Sequence, residues 1–489
     1  MDYSALKSGT DIRGVASDKG GKAVSLTDSA VYDITAAFAL WLKEKILKDN
    51  VTVSIGRDSR ITGPAIMERA QAALVDSGFT VKNCGLSSTP AMFMTTLDGG
   101  CDAAVQITAS HHPFDRNGLK FFTKDGGLNS SDILEIIDLA NNEKRLHSDK
   151  KGTVIKVDFM KSYAAHLRKV ICDGVGKTEA DMPLKNYKIV VDAGNGAGGF
   201  YAYDVLEKLG ADIMGSQFLE PDGMFPNHIP NPENAVAMQS ITDAVLKNNA
   251  DLGLIFDTDV DRAGCVDEKG GKINRNRLIA LAAYIAVDGQ KGKTIVTDSV
   301  TSDGLHDYIE DTLDCSHYRF KRGYKNVINK AQELCSKGID TPLAIETSGH
   351  AAFKENYFLD DGAYLVTKIV IEMAKGKKIK DILSSLKMPA EEREVRFDIL
   401  CDDFKTYGEE IIKRLEAFVN ENAEYKLADD NREGLRVITN NGWFLLRLSV
   451  HDPVAVVNFE SCALGGIADD IKKIRPFFAQ FEKLDISTL

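Results

Sequence analysis

The feature that most constrains the fold of this chain is a pattern of strand, turn and helix that occurs three times. In each copy a short apolar strand runs into a turn that contains Gly or Asp, and an amphipathic helix follows. The three turns are residues 56–60, 192–196 and 298–300, and the helices after them are expected at 65–77, 201–209 and 305–313. Repetition of one strand and helix unit predicts three similar α/β domains.

Each copy also contains a second apolar strand that ends in a polar loop. Strand 103–107 leads to Ser110, strand 252–256 leads to Asp257, and strand 343–345 leads to Glu346. In open α/β sheets the loops at the carboxyl ends of the strands carry the chemistry. We therefore expect the three domains to direct three different loops to a common place.

The last hundred or so residues follow a different pattern. After Pro389, helices are expected at 404–419 and 468–484, with strands at 443–448 and 454–459 between them. This order predicts a smaller α+β domain with an antiparallel sheet. The resulting domain boundaries are 1–150, 151–270, 271–389 and 390–489.

The composition limits the partners and the compartment. The net charge of -12 argues against nucleic acid or an anionic membrane as the main partner, because both need a basic surface. The eight cysteines include no C-x-x-C pair, which favours free thiols in a cytoplasmic protein. No apolar run approaches the length of a membrane span, so we expect a soluble protein whose partners are small molecules.

The loop at residues 108–113 is the first candidate for chemistry. Ser110 offers a hydroxyl nucleophile, and His111 and Lys120 lie close to it in the sequence as groups that could move protons. The other interpretation is an ordinary polar turn after a strand, because Ser, His and Pro are common turn residues. The residues of this loop alone do not decide between the two.

Three aspartates alternate in the loop that follows strand 252–256. If the segment is extended, Asp257, Asp259 and Asp261 share one face and repel each other unless a cation lies among them. Carboxylate oxygens favour Mg²⁺, and the adjacent Arg262 would complete a clamp for a phosphoryl group. An exposed acidic strand edge is the alternative. A calcium EF-hand is excluded, because Arg262 occupies the position of the required Gly.

The residues 194–199 fit the dinucleotide-binding pattern G-x-G-x-x-G. They follow a strand and precede a helix, and Asp212 and Glu220 lie roughly 20 residues further on. Against a nicotinamide cofactor, Asp192 would approach the pyrophosphate, and the same strand and turn occur twice elsewhere without the glycines. Close packing of helix on sheet explains the glycines equally well, so an oxidoreductase is kept only as a minor alternative.

Two further loops offer groups for a sugar phosphate. Glu346 and Ser348 alternate after the third strand, and a carboxylate that accepts two hydroxyl hydrogen bonds is suited to a polyol. Arg447, Ser449 and His451 lie on one face if their segment is extended, and these are phosphate-binding groups. A strand-end turn and a polar sheet edge are the plain alternatives. Further basic turns are formed by Arg13, Arg57, Arg60, Arg322 and Lys325.

Taken together, these motifs resemble those of the α-D-phosphohexomutase family, which contains the phosphoglucomutases and phosphomannomutases. Four segments resemble its phosphoserine, Mg²⁺, sugar and phosphate loops in family order, namely 108–113, 257–262, 346–350 and 447–453. Segments 56–60 and 222–228 also resemble family signatures. The resemblance implies four domains around a central cleft, of which the first three are alike.

The resemblance also implies a reaction. Phosphorylated Ser110 would donate its phosphoryl group to a hexose monophosphate, and the resulting 1,6-bisphosphate would return its other phosphoryl group. Mg²⁺ would be held by Ser110, Asp257, Asp259 and Asp261. Arg262 would assist, and His111 and Lys120 would share the acid and base roles. A hexose 1,6-bisphosphate is expected as activator.

The residues expected to bind substrate leave the preferred sugar open. Relatives that act on glucose or mannose often carry His where Tyr324 stands, and Val450 and His451 depart from the usual phosphate loop. Glucose and/or mannose phosphates are the expected substrates, with glucosamine phosphate as the alternative and a non-catalytic sugar-phosphate sensor as a lesser one. The chain is expected to be a monomer or homodimer. The substrate-binding set is Arg13, Arg322, Tyr324, Glu346, Ser348, His350, Arg447, Ser449 and His451.

Overall fold

The computed structural model of the chain describes residues 2–449 and 452–489. The chain divides into two compact units, each built from two separate stretches of sequence. Unit 1 consists of Met1–Ile285 and Ser348–Ile382, and unit 2 consists of Ala286–Thr347 and Leu383–Leu489. Among the described residues, none of the helices combines the length and the apolar character that crossing a bilayer requires.

The first repeat, in unit 1, contains a mixed eight-stranded sheet. Its central strands Thr52–Arg57 and Ala103–Ile107 are parallel neighbours, so their carboxyl ends lie at the same edge. Strand Arg116–Thr123 runs antiparallel beside Ala103–Ile107. Along the sheet the strands are Lys7–Ser8, Asp11–Val15, Arg116–Thr123, Ala103–Ile107, Thr52–Arg57, Thr80–Leu86 and Thr153–Lys156, and Gly126–Gly127 pairs with Arg116–Thr123.

Helices cover this sheet and form its apolar core. Phe38 on the first helix stacks on Phe121 of the sheet, with ring centroids 4.4 Å apart. The helices begin where the sequence supplies caps: the side chains of Thr27 and Ser88 accept backbone hydrogen bonds at two of them. Each such cap contributes about 1 kcal/mol. The helices of this repeat are Asp28–Ile46, Gly63–Asp76, Thr89–Leu97 and Ser130–Asn141.

The second repeat contains a four-stranded sheet, also within unit 1. Strands Ile189–Asp192 and Leu252–Phe256 are parallel, and two antiparallel strands complete it, Ala263–Asp267 and Lys272–Ile273. The helical segment after the glycine-rich turn is a π-helix, Tyr201–Leu206, extended by Glu207–Leu209. The second repeat also contains helices Phe159–Val175 and Ala235–Asn248. Helix Arg275–Val287 follows it, and the second stretch of unit 1 contains strands Ala351–Phe353 and Leu359–Asp360 and helices Gly362–Ala374 and Ile379–Ile382.

The glycine-rich turn is filled by the protein's own backbone. A Cβ atom on Gly196 would lie 2.6 Å from the carbonyl oxygen of Thr258, and one on Gly199 would lie 2.3 Å from the carbonyl oxygen of Leu219. These contacts exclude any side chain at either position. Close packing therefore accounts for the glycines that fit the dinucleotide pattern.

Unit 2 contains the third repeat and the C-terminal domain. In the third repeat, strand Thr294–Asp298 lies between two parallel neighbours, Ser316–Phe320 and Leu343–Ile345. Its helices are Asp303–Asp307, which continues as the π-helix Tyr308–Thr312, and Tyr324–Ser336. The C-terminal sheet is antiparallel, with strand order Lys426–Leu427, Leu435–Ile438, Gly442–Leu448, Val454–Ser461, Glu391–Ile399 and Leu484–Asp485.

The predicted three repeats and α+β tail are confirmed. Strand Glu391–Ile399 was not predicted, and some elements differ at their ends. Helix Phe404–Glu421 matches the expectation closely, but the last helix is Gly466–Phe478 and stops short of the expected residue 484. Pro476 cannot donate a helical hydrogen bond, and the helix ends two residues later. All eight cysteines are free, as expected.

Candidate active site

Ser110 lies at the sheet edge, three residues beyond strand Ala103–Ile107. Its side chain is fully buried, and its backbone is left-handed, with φ 52°. The Ser110 hydroxyl donates to Asp257 Oδ2 at 3.2 Å and lies 3.3 Å from His111 Nδ1. The loop of Ser110, residues 108–116, is called the serine loop below. The structure thus brings the expected nucleophile against the expected metal-binding residues.

The loop with the three aspartates, residues 257–262, is called the metal loop. It forms a turn, so the expectation of an extended segment is wrong. Val260 has a left-handed backbone with φ 71°, and its carbonyl oxygen accepts a hydrogen bond from Gly362 N at 3.1 Å. The turn still gathers the carboxylates: one oxygen from each of Asp257, Asp259 and Asp261 lies within 4.8 Å of the others.

The hydrogen bonds of the three aspartates leave room for a cation. Asp257 Oδ1 accepts from Arg262 N at 3.2 Å. Thr89 Oγ1 donates to Asp259 Oδ2. The Oδ1 atoms of Asp259 and Asp261 are buried and have no hydrogen-bond partner in the described part of the chain. Because unpaired buried carboxylate oxygens are costly, this donor set fits a hard divalent cation such as Mg²⁺.

The charges within the metal loop support the same conclusion. Burial raises the pKa of Asp257 well above its usual range, and the negative charges of Asp261 and Asp259 add to the effect. Burial also raises the pKa of Asp261, but the positive charge of Lys120 and other neighbours outweighs it, so that pKa is lowered overall. Three carboxylates are therefore crowded together with too little positive charge around them.

Lys120 faces the metal loop from strand Arg116–Thr123. Its Nζ lies 2.5 Å from Asp261 Oδ2 and 3.5 Å from Asp259 Oδ2, and its side chain is buried. The antiparallel pairing of Lys120 with Gln106 fixes this position. The structure therefore joins Lys120 to the metal loop.

His111 and His112 stack beside Ser110, with ring centroids 5.2 Å apart. The positive charge of Arg262, together with burial, holds the pKa of His111 far below its usual range. Burial and the charge of Arg13 lower the pKa of His112 to about 3. Both rings are therefore neutral near pH 7. Arg13 itself pairs with Asp11 at 2.7 Å.

Arg262 links the metal loop to His350. Arg262 Nε donates to His350 Nε2 at 2.8 Å, and His350 Nδ1 lies 2.5 Å from Asp360 Oδ2. His350, Asp360 and Asp261 form a second group whose atoms lie within 4.8 Å of one another. Because both ring nitrogens of His350 are engaged, the three aspartates of the metal loop form the better cation site. Ser348, two residues before His350 in the chain, is also buried.

Within unit 2 the structure joins Glu346 to the basic turn at residues 321–325. Gly323 N donates to Glu346 Oε1 at 2.6 Å. The Arg322 guanidinium pairs with Asp298 through Nε and Oδ2 at 3.2 Å, and Tyr324 begins the next helix. The carboxylate expected to grip sugar hydroxyls therefore lies at this basic turn.

Arg447 supplies positive charge on the C-terminal sheet of unit 2. Its side chain is largely buried, and its Nε has no hydrogen-bond partner among residues 2–449 and 452–489. Burial lowers the pKa of Arg447, and the nearby positive charge of Arg322 lowers it further. Ser449 Oγ accepts from Asp452 N at 3.2 Å. His451, the third residue expected in this loop, lies outside the described residues.

Some residues that shape the site were not assigned a role from the sequence. Thr89 and Asp360 come from segments with no recognisable signal. Asp58 and Asp298 do have one, because Asp58 directly follows the first strand of its repeat and Asp298 ends the first strand of its own. Comparison of the repeats would have singled them out.

Comparison with known proteins agrees with the fold. Three family models described as the α/β/α domains I, II and III of phosphoglucomutase/phosphomannomutase match residues 6–147, 161–271 and 274–388. The chain is 30% identical to a phosphoglucomutase of Neisseria gonorrhoeae over 459 residues, which cover 92% of each chain. It is 29% identical to a phosphomannomutase/phosphoglucomutase of Pseudomonas aeruginosa, covering 98% of this chain and 95% of that one.

A solved structure shows the same fold. A phosphoglucomutase/phosphomannomutase family protein from Burkholderia thailandensis matches with a TM-score of 0.82 and 24% identity, covering 99% of this chain and 98% of that one. The family domains and the relatives define an isomerase that moves phosphoryl groups. The chain belongs to the phosphoglucomutase/phosphomannomutase family. This membership replaces the oxidoreductase alternative.

Proposed function

We propose that this protein is a Mg²⁺-dependent phosphohexomutase that interconverts the 1-phosphate and the 6-phosphate of glucose and/or mannose. The observation that carries the proposal is the contact of the Ser110 hydroxyl with Asp257, at 3.2 Å, beside two further buried aspartates. A hydroxyl nucleophile beside a cation site is the arrangement that phosphoryl transfer needs. Relatives named as phosphoglucomutase or phosphomannomutase support this choice of sugars.

The reaction consists of two phosphoryl transfers at Ser110. In the first, the bond between phosphorus and the Ser110 oxygen breaks, the free sugar hydroxyl bonds to phosphorus, and the hydroxyl proton passes to a base. In the second, the bisphosphate returns its other phosphoryl group to the Ser110 oxygen, and the freed sugar oxygen takes up a proton. Burial of Ser110 supports both steps, because exclusion of water limits hydrolysis of the phosphoserine.

Ser110, Asp257, Asp259 and Asp261 are the residues that would hold Mg²⁺. When bound, the ion neutralises negative charge on the transferring phosphoryl group. Arg262 spreads further positive charge over the same oxygens, and its hydrogen bond to His350 keeps its guanidinium in place.

His111 and Lys120 carry the proton transfers. His111 Nδ1 lies 3.3 Å from the Ser110 hydroxyl, which places the imidazole within reach of the proton that moves. Lys120 is held by Asp261 and Asp259, where it is able to donate one. The two residues share the acid and base roles, which exchange between the forward and reverse directions.

The remaining residues bind the substrate. Glu346 and Ser348 grip sugar hydroxyls, and Arg447, Ser449 and His451 hold the phosphate that is not reacting. The hydrogen bond from Gly323 N to Glu346 supports this assignment because it fixes one carboxylate oxygen. Arg13, Arg322, Tyr324 and His350 complete the set.

We further propose that the domains span 1–150, 151–270, 271–389 and 390–489, which agrees with the ranges of the three family domains. The protein acts on small sugar phosphates in the cytoplasm, as a monomer or homodimer. A hexose 1,6-bisphosphate acts as activator, because it phosphorylates Ser110 in enzyme that has lost its phosphate.

The test is a parallel assay on the 1-phosphates of glucose, mannose and glucosamine, with Mg²⁺ and a trace of the matching bisphosphate. The proposal predicts turnover of the glucose and mannose compounds and loss of at least about 10³-fold in kcat for Ser110→Ala. Turnover of glucosamine 1-phosphate alone would replace the substrate assignment. An active Ser110→Ala enzyme would sink the mechanism, and no turnover of any sugar would favour a sensor.

A further inference from the structure

Arg60 is buried beneath the serine loop, where the proposed reaction gives it no role. Its side chain has no solvent exposure. Its guanidinium donates four hydrogen bonds to backbone carbonyl oxygens of this one loop. Nη1 bonds to Pro113 at 2.7 Å and to Arg116 at 2.9 Å, and Nη2 bonds to Ser110 and to His112, both at 2.5 Å.

Asp58 reaches the same loop through a side chain. Asp58 Oδ2 accepts from Thr108 Oγ1 at 2.7 Å, and Thr108 Oγ1 accepts from Ser110 N at 2.9 Å. A continuous chain of hydrogen bonds therefore runs from Asp58 to the backbone of Ser110. Asp58 also pairs with Arg60, with Nε and Oδ2 3.2 Å apart.

The Asp58 and Arg60 charges are costly to bury. Burial raises the pKa of Asp58 to about 6, although the charge of Arg60 acts in the opposite direction. A buried ion pair seldom stabilises a fold more than apolar side chains of the same volume. The fixed geometry of a guanidinium does, however, suit an array of carbonyl acceptors. The buried pair of Asp58 and Arg60 is therefore better explained by its hydrogen bonds to the serine loop than by a contribution to the stability of the fold.

A segment of the second repeat closes behind Arg60. The Phe225 ring centroid lies 5.2 Å from Arg60 Cζ, and Gly223 pairs with Arg60 as an isolated bridge. A Cβ atom on Gly223 would lie 2.4 Å from both Ile61 N and Ser59 O, so only glycine fits. This contact joins the two segments that resemble family signatures, 56–60 and 222–228, at Arg60.

The third repeat shows a similar arrangement independently, within unit 2. Asp298 ends the first strand, as Asp58 follows the first strand of its repeat. Asp298 accepts from Thr347 N at 3.2 Å and from Thr347 Oγ1 at 2.7 Å, and it pairs with Arg322 at 3.2 Å. Thr347 follows the second strand, as Thr108 does. In both repeats an aspartate at the first strand therefore binds a threonine of the loop and pairs with an arginine.

We propose that Asp58 and Arg60 are positioning residues for phosphoryl transfer. They fix the left-handed backbone at Ser110, which is unfavourable for a non-glycine residue, and so direct its hydroxyl at Asp257. Neither residue touches the reacting atoms. The inference rests on the proposed transfer at Ser110, and it adds the device that sets the orientation of the nucleophile.

The first test compares Arg60→Lys with the matched control Arg436→Lys. Arg436 is also buried, donates to the carbonyl oxygens of Ser299 at 3.2 Å and Thr301 at 3.1 Å, and stacks on Trp443. We expect Arg60→Lys to lower kcat at least about tenfold with KM within about twofold, because misorientation of a nucleophile reduces the rate of transfer. Arg436→Lys should lower Tm comparably while kcat stays within about twofold.

The second test uses Thr108 and avoids any loss of buried charge. Thr108→Ser keeps the hydroxyl, and Thr108→Val keeps the shape without it. We expect Thr108→Val to lose at least about tenfold in kcat and Thr108→Ser to stay within about threefold. This pair decides the question even if Arg60→Lys does not fold.

Wild-type turnover and phosphate on Ser110 are measured first, so that the two proposals fail separately. A wild type with neither property overturns the proposed function and this inference together. An active wild type combined with full kcat in folded Arg60→Lys, or with equal kcat in the two Thr108 variants, overturns the positioning role alone.

Discussion

The first and third repeats combine the same three residue types beside a loop, but the arginine is placed differently. In the first repeat the Arg60 side chain is 0% exposed, and its donors serve four carbonyl oxygens of the serine loop. In the third repeat the Arg322 side chain is 26% exposed. One arrangement holds the loop of the proposed nucleophile, whereas the other leaves the arginine partly exposed to solvent.

The second repeat departs from this arrangement. Its strand-end aspartate, Asp192, accepts from His228 Nε2 at 3.0 Å and from Gln217 Nε2 at 2.8 Å. The threonine in the corresponding loop, Thr258, is buried, and its hydroxyl has no hydrogen-bond partner in the described part of the chain. The metal loop is instead held by Gly362 and Thr89. Under the proposed function, aspartates at this position would therefore serve catalysis in the first repeat, stability in the second and binding in the third.

The largest expected effect comes from the metal loop of the second repeat. Asp259→Asn should lower kcat on the order of 10³-fold, because a cation ligand is lost. Its Tm in a chelator should not fall below that of the wild type, because the substitution removes one of three crowded negative charges. Steady-state kinetics and thermal unfolding in EDTA check this, with the exposed Asp243→Asn as control. A Tm of Asp259→Asn in EDTA that lies several degrees below the wild-type value would contradict the statement that the three carboxylates repel each other.

The next effect separates the first repeat from the third. Asp58→Asn should lower kcat by roughly 10- to 100-fold with little change in KM, because the nucleophile is misoriented. Asp298→Asn should raise KM by about tenfold with kcat within about threefold, because it loosens Arg322 and Thr347. Steady-state kinetics of both variants provide the comparison. The distinction between the repeats fails if both variants change the same parameter.

The smallest effect is expected in the second repeat and concerns stability alone. Burial lowers the pKa of His228, but the hydrogen bond and charge of Asp192 outweigh this, so the pKa is raised overall. A raised pKa stabilises the fold fully below the unfolded value, about 6.5, and the contribution is lost as pH rises through the folded value. His228→Gln should therefore cost about 1–3 kcal/mol at pH 5.5 and less at pH 8.5.

Urea unfolding at the two pH values measures that difference, and kcat at 20 °C serves as the control for function. The wild type should lose stability relative to His228→Gln as the pH rises. A purely structural role for His228 and Asp192 would be contradicted if the stability difference between the wild type and His228→Gln grew with pH, or if kcat of His228→Gln fell strongly.

Much of the fold could be predicted from the sequence, because apolar strands that end in Gly or Asp turns recur three times. Strand Glu391–Ile399 was missed for a physical reason. Its outward face is charged, and only Val395, Phe397 and Ile399 are buried, so the apolar alternation is confined to its second half. The last helix was predicted too long because apolar residues continue at helical spacing to Leu484, whereas Pro476 lacks the N–H donor and the helix ends at Phe478.

The site was predictable in its residue types but not in its geometry. Ser110, Lys120 and the three aspartates were predicted as site residues because four loops together resemble the family's loops, and the loop of Ser110 alone did not decide its role. The turn of the metal loop was not predicted, because a left-handed Val260 is locally unfavourable and is imposed by the distant Gly362. Thr89 lies 170 residues from Asp259, and no local pattern links the two.

The most direct test of the central claim is transfer of label from a hexose 1,6-bisphosphate that carries radioactive phosphate. The enzyme is first dephosphorylated, then labelled with Mg²⁺ present, and the labelled peptide is mapped. The account predicts one phosphate per chain, on Ser110, which passes to unlabelled hexose monophosphate at a rate no slower than turnover. Turnover without label on the protein, or label on any other residue, would contradict it.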